Sequence, residues 1–106
     1  MSGKIRTLLQ EIKVGLKAIY QSRLQGLYLF GSYARGEEDK ESDLDVLVVL
    51  DGFNHYAAEV DRTGDLCAKL SLKYDVSISR VFVSGQDWKE RRSPFLENVR
   101  EEAIAT

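Results

Sequence analysis

"LFGSYARGEEDKESDLDVLVVL", Leu29–Leu50, decides how the rest of this chain is read. Two apolar runs flank a Gly-Ser pair and a densely charged loop, and the second run carries Asp43 and Asp45 with one residue between them. That second run, Asp43–Leu50, is too rich in Val and Leu to keep a wet face through its later half, which predicts an interior strand covered on both sides. In a strand, residues i and i+2 share a face about 6.5–7 Å apart, so Asp43 and Asp45 form a pair while Leu44 and Val46 face the other way. Two carboxylates on one face repel each other and resist burial unless a cation joins them. Mg²⁺ accepts oxygen ligands and usually keeps waters and substrate phosphates in its shell. Two such ions ~4 Å apart could clamp an in-line phosphoryl displacement.

The Gly-Ser end supplies the complement. Gly31 lets the backbone approach a bound group without a Cβ clash. Ser32 offers a hydroxyl and caps a short helical turn through Tyr33–Arg35, where free N–H groups favour phosphate. Arg35, one turn along, adds a positive charge, and Gly36 ends the turn. Taken singly, each piece has a plain explanation: Gly-Ser is a turn, Asp-x-Asp is a solvated strand mouth, and Glu37–Glu41 is a wet loop. In combination, phosphate donors at one strand end and metal ligands on the next describe a nucleoside triphosphate site.

The flanking sequence predicts the layers around this unit. Ile5, Leu8, Leu9, Ile12, Leu16, Ile19 and Tyr20 recur at spacings of three and four, one apolar stripe on a helix that Gly26 ends or turns out of. Leu27–Phe30 reads as a buried strand. Asp51-Gly52 marks a turn, and Tyr56, Val60, Thr63, Cys67, Leu70 and Tyr74 stripe a second helix that contains Gly64. Asp75–Val83 is β-branched and alternating, a third strand. Ser84 and Asp87 suggest a cap into a short turn. Ser93-Pro94 opens a last helix with Leu96, Val99 and Ala103 on its inner face. The order is α-β-α-β-α-β-α, a small mixed sheet flanked by helices in the α/β (α+β) class, and the expected organisation is one domain over residues 1–106.

Composition bounds the function. The 106 residues are 43% hydrophobic with net charge −2, which suits a globular fold and gives no strong hint of a nucleic-acid or membrane partner. A single cysteine, Cys67, excludes an intrachain disulfide and is read as core packing. No apolar run approaches the ~20 residues of a membrane span, and the charged Met1–Lys13 stretch does not suit a signal peptide. The expected location is cytoplasmic. His55 is assigned to a surface helix start, Trp88 to an anchor after the third strand, and Lys89, Arg91 and Arg92 to a solvated turn.

The stretch Gly31–Leu50 resembles the signature of the minimal nucleotidyltransferases of the DNA polymerase β superfamily: Gly-Ser, ten residues, then Asp-x-Asp. Tyr33–Ser42 supplies those ten residues, and Arg35-Gly36 and Ser42 also fit. The tail from Val81 to Ile104 is similar to the tail of many such proteins. The resemblance implies the nucleotidyltransferase fold, with Asp43 and Asp45 as catalytic ligands for Mg²⁺ and with Gly31 and Ser32, helped by Arg35 and Ser42, against the triphosphate. It implies transfer of a nucleoside monophosphate, AMP from ATP, to an acceptor hydroxyl with loss of pyrophosphate. Small members of this family pair with helical HEPN proteins as toxin–antitoxin partners and can modify a tyrosine of the toxin; a homodimer is the other way to complete so short an enzyme.

The family usually adds a third carboxylate on a neighbouring strand. Asp75 is the acid available in the third strand, and Ser77 follows it on the same face by alternation. Asp75 in that place completes a catalytic and metal-binding triad with Asp43 and Asp45. Ser77 in that place leaves a nucleotidyltransferase-fold binding module that silences its partner by covering it.

Overall fold

The computed structural model describes all residues, 1–106. The first helix, α1 (Gly3–Tyr20), starts at Ser2, whose Oγ accepts from the Ile5 N–H at 3.2 Å. It buries Ile5, Leu8, Leu9, Ile12, Leu16 and Tyr20, the stripe expected from spacing. A 3-10 turn at Gln21–Arg23 leads into β1 (Leu24–Phe30), three residues earlier than the apolar run suggested. Gly26 therefore lies inside the strand, where the pairing register shifts between Leu24 and Gly26; a glycine tolerates that local distortion.

One turn of helix, α2 (Ser32–Arg35), follows, and β2 (Leu44–Leu50) returns antiparallel to β1. The predicted second helix is two, α3 (Tyr56–Arg62) and α4 (Gly64–Tyr74). The break sits at Thr63, fully buried, whose hydroxyl turns back onto the Glu59 carbonyl at 2.9 Å and receives Arg80 Nε at 2.6 Å. A hydroxyl bonding back to its own helix competes with the helical ladder. Beside it the buried Glu59 carboxylate accepts from the Tyr20 hydroxyl at 2.7 Å and from Arg62 Nε at 3.1 Å.

The third strand, β3 (Ile78–Ser84), runs parallel to β2. It begins three residues after Asp75, because Asp75 closes α4 in the left-handed region, φ 54° and ψ 46°, with its N–H on the Ser71 carbonyl. Aspartate tolerates that conformation better than most residues. Ser84 caps α5 (Gly85–Glu90) through the Asp87 N–H, and Ser93 caps α6 (Pro94–Glu102) through the Leu96 N–H. The two-residue β4 (Ile104–Ala105), not foreseen from sequence, pairs with β1 and completes a mixed sheet in the order β3-β2-β1-β4.

Both faces of that sheet are covered. Leu27, Leu29, Leu44, Val46, Val48, Leu50 and Phe82 pack with α1 and α4. Leu47, Val49 and Val83 pack with Leu96 and Val99 of α6, and Phe30, Tyr28 and Trp88 close that core. The double cover explains the unbroken Val and Leu run of β2. Cys67 is buried, His55 is exposed, and Trp88 stacks 5.0 Å from Tyr28 beneath the Arg100 guanidinium. Arg91 and Arg92 form surface ion pairs with Asp87 and Glu97. No helix is long and apolar enough to cross a membrane.

Candidate active site

The β1–β2 register builds the site. Phe30 pairs with Asp45, so the chain leaving β1 at Gly31 passes directly over the Asp45 side chain. Gly31 takes φ 76° and ψ −157°, a combination essentially confined to glycine. A Cβ there would also overlap Asp45 Oδ2. The Gly-Ser step is thus set against Asp45 by backbone conformation as well as by contact.

Gly31 is itself the cap of α2, and Ser32 is its first residue rather than its cap; the Ser32 side chain makes no capping hydrogen bond and lines the cavity beside Asp45. Gly36 ends the turn in the left-handed region at φ 72°. The charged loop then folds on itself. Ser42 Oγ accepts from the Asp39 N–H at 3.0 Å, and Asp39 Oδ1 accepts from the Glu41 N–H at 2.8 Å. These bonds fix the approach to Asp43, which is exposed at the mouth of β2, while Asp45 one pleat deeper is half-buried. Burial pushes the Asp45 carboxyl above its ordinary value; Asp43 and then Glu102 push the same way, and the Ser79 hydroxyl and Arg35 oppose them.

Gly31, Ser32, Arg35 and Asp45 line one cavity of about 360 Å³ together with residues of α6. Ser42 and Asp75 line another, of about 300 Å³, with Tyr33, Lys40 and Ser77. The expectation that Asp75 opens the third strand is corrected: β3 begins at Ile78, and Asp75 caps the end of α4. Asp45 pairs with Ser79, and the Ser77 carbonyl accepts from the Leu44 N–H at 2.8 Å. Serines therefore flank the aspartate pair along β3, and Asp75 stands off the ladder at the end of α4. No three carboxylate, imidazole or thiol groups converge as a ready-made metal cage. The hard oxygens of Asp43 and Asp45 suit a divalent ion whose remaining positions go to phosphate oxygens and water.

One participant escaped the sequence reading. Glu102 Oε2 accepts from the Gly31 N–H at 2.5 Å and from Arg35 Nη1 at 3.0 Å. It lies on a stripe of α6 with Phe95 and Asn98, both facing the same cavity. The available signal was spacing: Glu102 follows the inward-facing Val99 by three residues, so a carboxylate at that position has to meet something at the sheet end.

The nucleotidyltransferase domain family matches residues 9–102. A Methanocaldococcus jannaschii protein named "Putative protein adenylyltransferase" is 39% identical over 95 residues, covering 89% of each chain. A second protein of that name and organism is 36% identical over 78 residues, covering 74% of this chain and 78% of the relative. Among solved structures, a chain from a toxin–antitoxin crystal structure with AMP-PNP shares the fold with a TM-score of 0.63 and 22% identity, over 91% of this chain and 70% of that one. A chain from a complex of tri-AMPylated Shewanella oneidensis HEPN toxin with MNT antitoxin shares it at 0.50 and 20%, over 92% and 70%. The chain belongs to the nucleotidyltransferase domain family and is an enzyme of that class.

Proposed function

We propose that this chain transfers AMP from ATP, with Mg²⁺, to a hydroxyl of a protein acceptor, a tyrosine of a HEPN-type toxin partner. The observation that carries the reading is the seat of Gly31 on Asp45, which joins a phosphate-approach turn to a carboxylate pair. Support for a protein acceptor comes from the names of the relatives, and support for the partner class from the HEPN toxin complex that shares the fold. A cytoplasmic setting accords with the unpaired, buried Cys67.

In the proposed reaction the acceptor oxygen attacks the α-phosphorus, a new P–O bond forms, and the bond to the β-phosphate oxygen breaks to release pyrophosphate. Gly31 leaves room for the phosphates and donates its N–H to them. Asp43 and Asp45 would hold Mg²⁺, which would supply neutralisation of the charge on the phosphates. Ser32 and Arg35 orient the triphosphate in the cavity they share with Asp45. Asp75, which shares a second cavity with Ser42, receives the acceptor proton.

A second reading is favoured by one observation, the serine rather than an acid opposite Asp45. In it the chain binds nucleotide and neutralises its partner by contact alone. Incubation of the chain and its copurified partner with radiolabelled ATP and Mg²⁺ separates the two. Label on the partner, lost in Asp43→Asn/Asp45→Asn, supports transfer. A stable, unlabelled complex rules transfer out and leaves the contact reading.

A further inference from the structure

Gly31 has one backbone N–H, and Glu102 holds it. The same carboxylate oxygen takes Arg35 Nη1, while Arg35 Nε is given to Glu37 at 3.1 Å. An amide at a glycine turn and a guanidinium are the donors a phosphate oxygen would use, and charge-assisted bonds to them are strong ones. A carboxylate on both occupies the position of a phosphate oxygen. It does so against its own electrostatics, because Glu102 shares the cavity with the Asp45 carboxylate.

We propose that Glu102 is a phosphate-mimicking latch, and that a nucleoside triphosphate binds by displacing its carboxylate from Gly31 and Arg35. The inference rests on the nucleotide-binding part of the proposed function. The latch has an anchored base. Immediately after Glu102 the chain turns into β4, where Ile104 and Ala105 pair with Leu29 and Tyr28, the Thr106 N–H reaches the Leu27 carbonyl at 3.0 Å, and Lys13 Nζ reaches the Thr106 carbonyl at 2.8 Å. Leu96 and Val99 hold the preceding turns of α6 in the core. Release therefore needs only a side-chain rotation of Glu102, whose side chain is 21% exposed at the helix end, and neither α6 nor β4 has to move. The consequence is a standing penalty on nucleotide affinity, since a site whose competent state is a minor fraction binds more weakly by that fraction. Such a device keeps the transferase empty of stray phosphates until a full metal–triphosphate outcompetes one carboxylate.

This ordering differs from the other role a carboxylate could take here. As a third metal ligand or a base, Glu102 would strengthen binding or turnover. As a latch, it weakens binding. Calorimetric titration of the wild type, Glu102→Gln and Glu102→Ala with ATP and Mg²⁺ reads the sign directly. The expected result is roughly tenfold tighter binding in Glu102→Ala, as for a latch closed about nine-tenths of the time, with Glu102→Gln, whose amide oxygen still accepts hydrogen bonds, between it and wild type. Equal or weaker binding in Glu102→Ala overturns the latch. The ¹⁵N-resolved Gly31 amide resonance should shift in apo Glu102→Ala, and an unmoved resonance in the folded variant overturns the latch as well. If that resonance shifts yet neither wild type nor variants bind ATP, the nucleotide reading fails and the latch is overturned with it. If ATP binds and only the sign is wrong, the failure belongs to the latch alone.

Discussion

Asp45 pairs with Ser79 across the β2–β3 ladder, so the neighbour of the deeper aspartate on that side is a hydroxyl. Ser79→Asp would place a third carboxylate directly opposite Asp45. In the metal-free protein, like charges facing each other across a ladder should cost about 1 kcal/mol. Mg²⁺ should recover that loss, because three oxygens bind the ion better than two. Thermal unfolding with and without Mg²⁺ checks this: the ion should raise Tm more in Ser79→Asp than in wild type, and an equal response would show that Ser79 does not look into the metal site.

Asp45 should lower the stability of the unliganded fold at neutral pH. Its folded-state pKa is raised by burial and by Asp43, so the native state holds this proton more tightly than the unfolded chain does. Stability then falls as pH rises from the unfolded carboxylate value near about 4 through the raised folded value, and the penalty is constant above it. Asp45→Asn removes the charge without the shape. It should unfold at a higher temperature than wild type at pH 7, with the gain shrinking toward zero below about pH 4. A gain that persists unchanged in acid would assign it to something other than ionisation.

Gly31→Ala combines two injuries. The backbone conformation is essentially glycine-only, a strain of order 1–3 kcal/mol, and the added methyl overlaps Asp45 Oδ2. The variant should lose stability by at least that strain and lose ATP binding together with it. Gly36→Ala is the control, since its φ of 72° is also left-handed but nothing lies within reach of the new Cβ. It should show the strain and retain the nucleotide, which denaturant unfolding and ATP titration can compare side by side.

Asp75→Asn tests the division of labour between the two cavities. Asp75 lines the cavity of Ser42 and Ser77, away from Gly31 and Arg35. Nucleotide affinity should stay within about twofold of wild type, while transfer to the acceptor should drop by the ~10²–10⁴ that a general base contributes. Matched losses of binding and turnover would return Asp75 to the metal centre; unchanged turnover would remove it from the chemistry.

The residues whose roles were legible in the sequence are those governed by short-range rules. Periodicity named the buried face of α1, turn chemistry named Ser93-Pro94 as a helix start, and the spacing from Ser32 to Asp43 named the motif. The misreadings came from partners distant in sequence. Thr63 breaks a helix because Arg80, seventeen positions on, bonds its hydroxyl. Asp75 fits an alternating strand pattern on paper, yet a left-handed helix cap takes it off the ladder. Glu102 went unread in "NVREEAI": its spacing from Val99 gives its face on α6, but its partners, Gly31 and Arg35, lie some seventy positions away. Gly26 reads as a helix end or the start of a turn because a glycine at a register shift and a glycine at a turn are alike until strand pairing is known.

AMP transfer from the Gly31–Asp45 site to a protein partner would leave a mass change on that partner. Intact-mass spectrometry of the copurified partner, after incubation of the complex with ATP and Mg²⁺, measures it. The partner should gain the mass of one or more adenylyl groups with wild-type enzyme and none with Asp43→Asn/Asp45→Asn. A partner whose mass stays unchanged with wild-type enzyme, or one modified equally by the double variant, would contradict it.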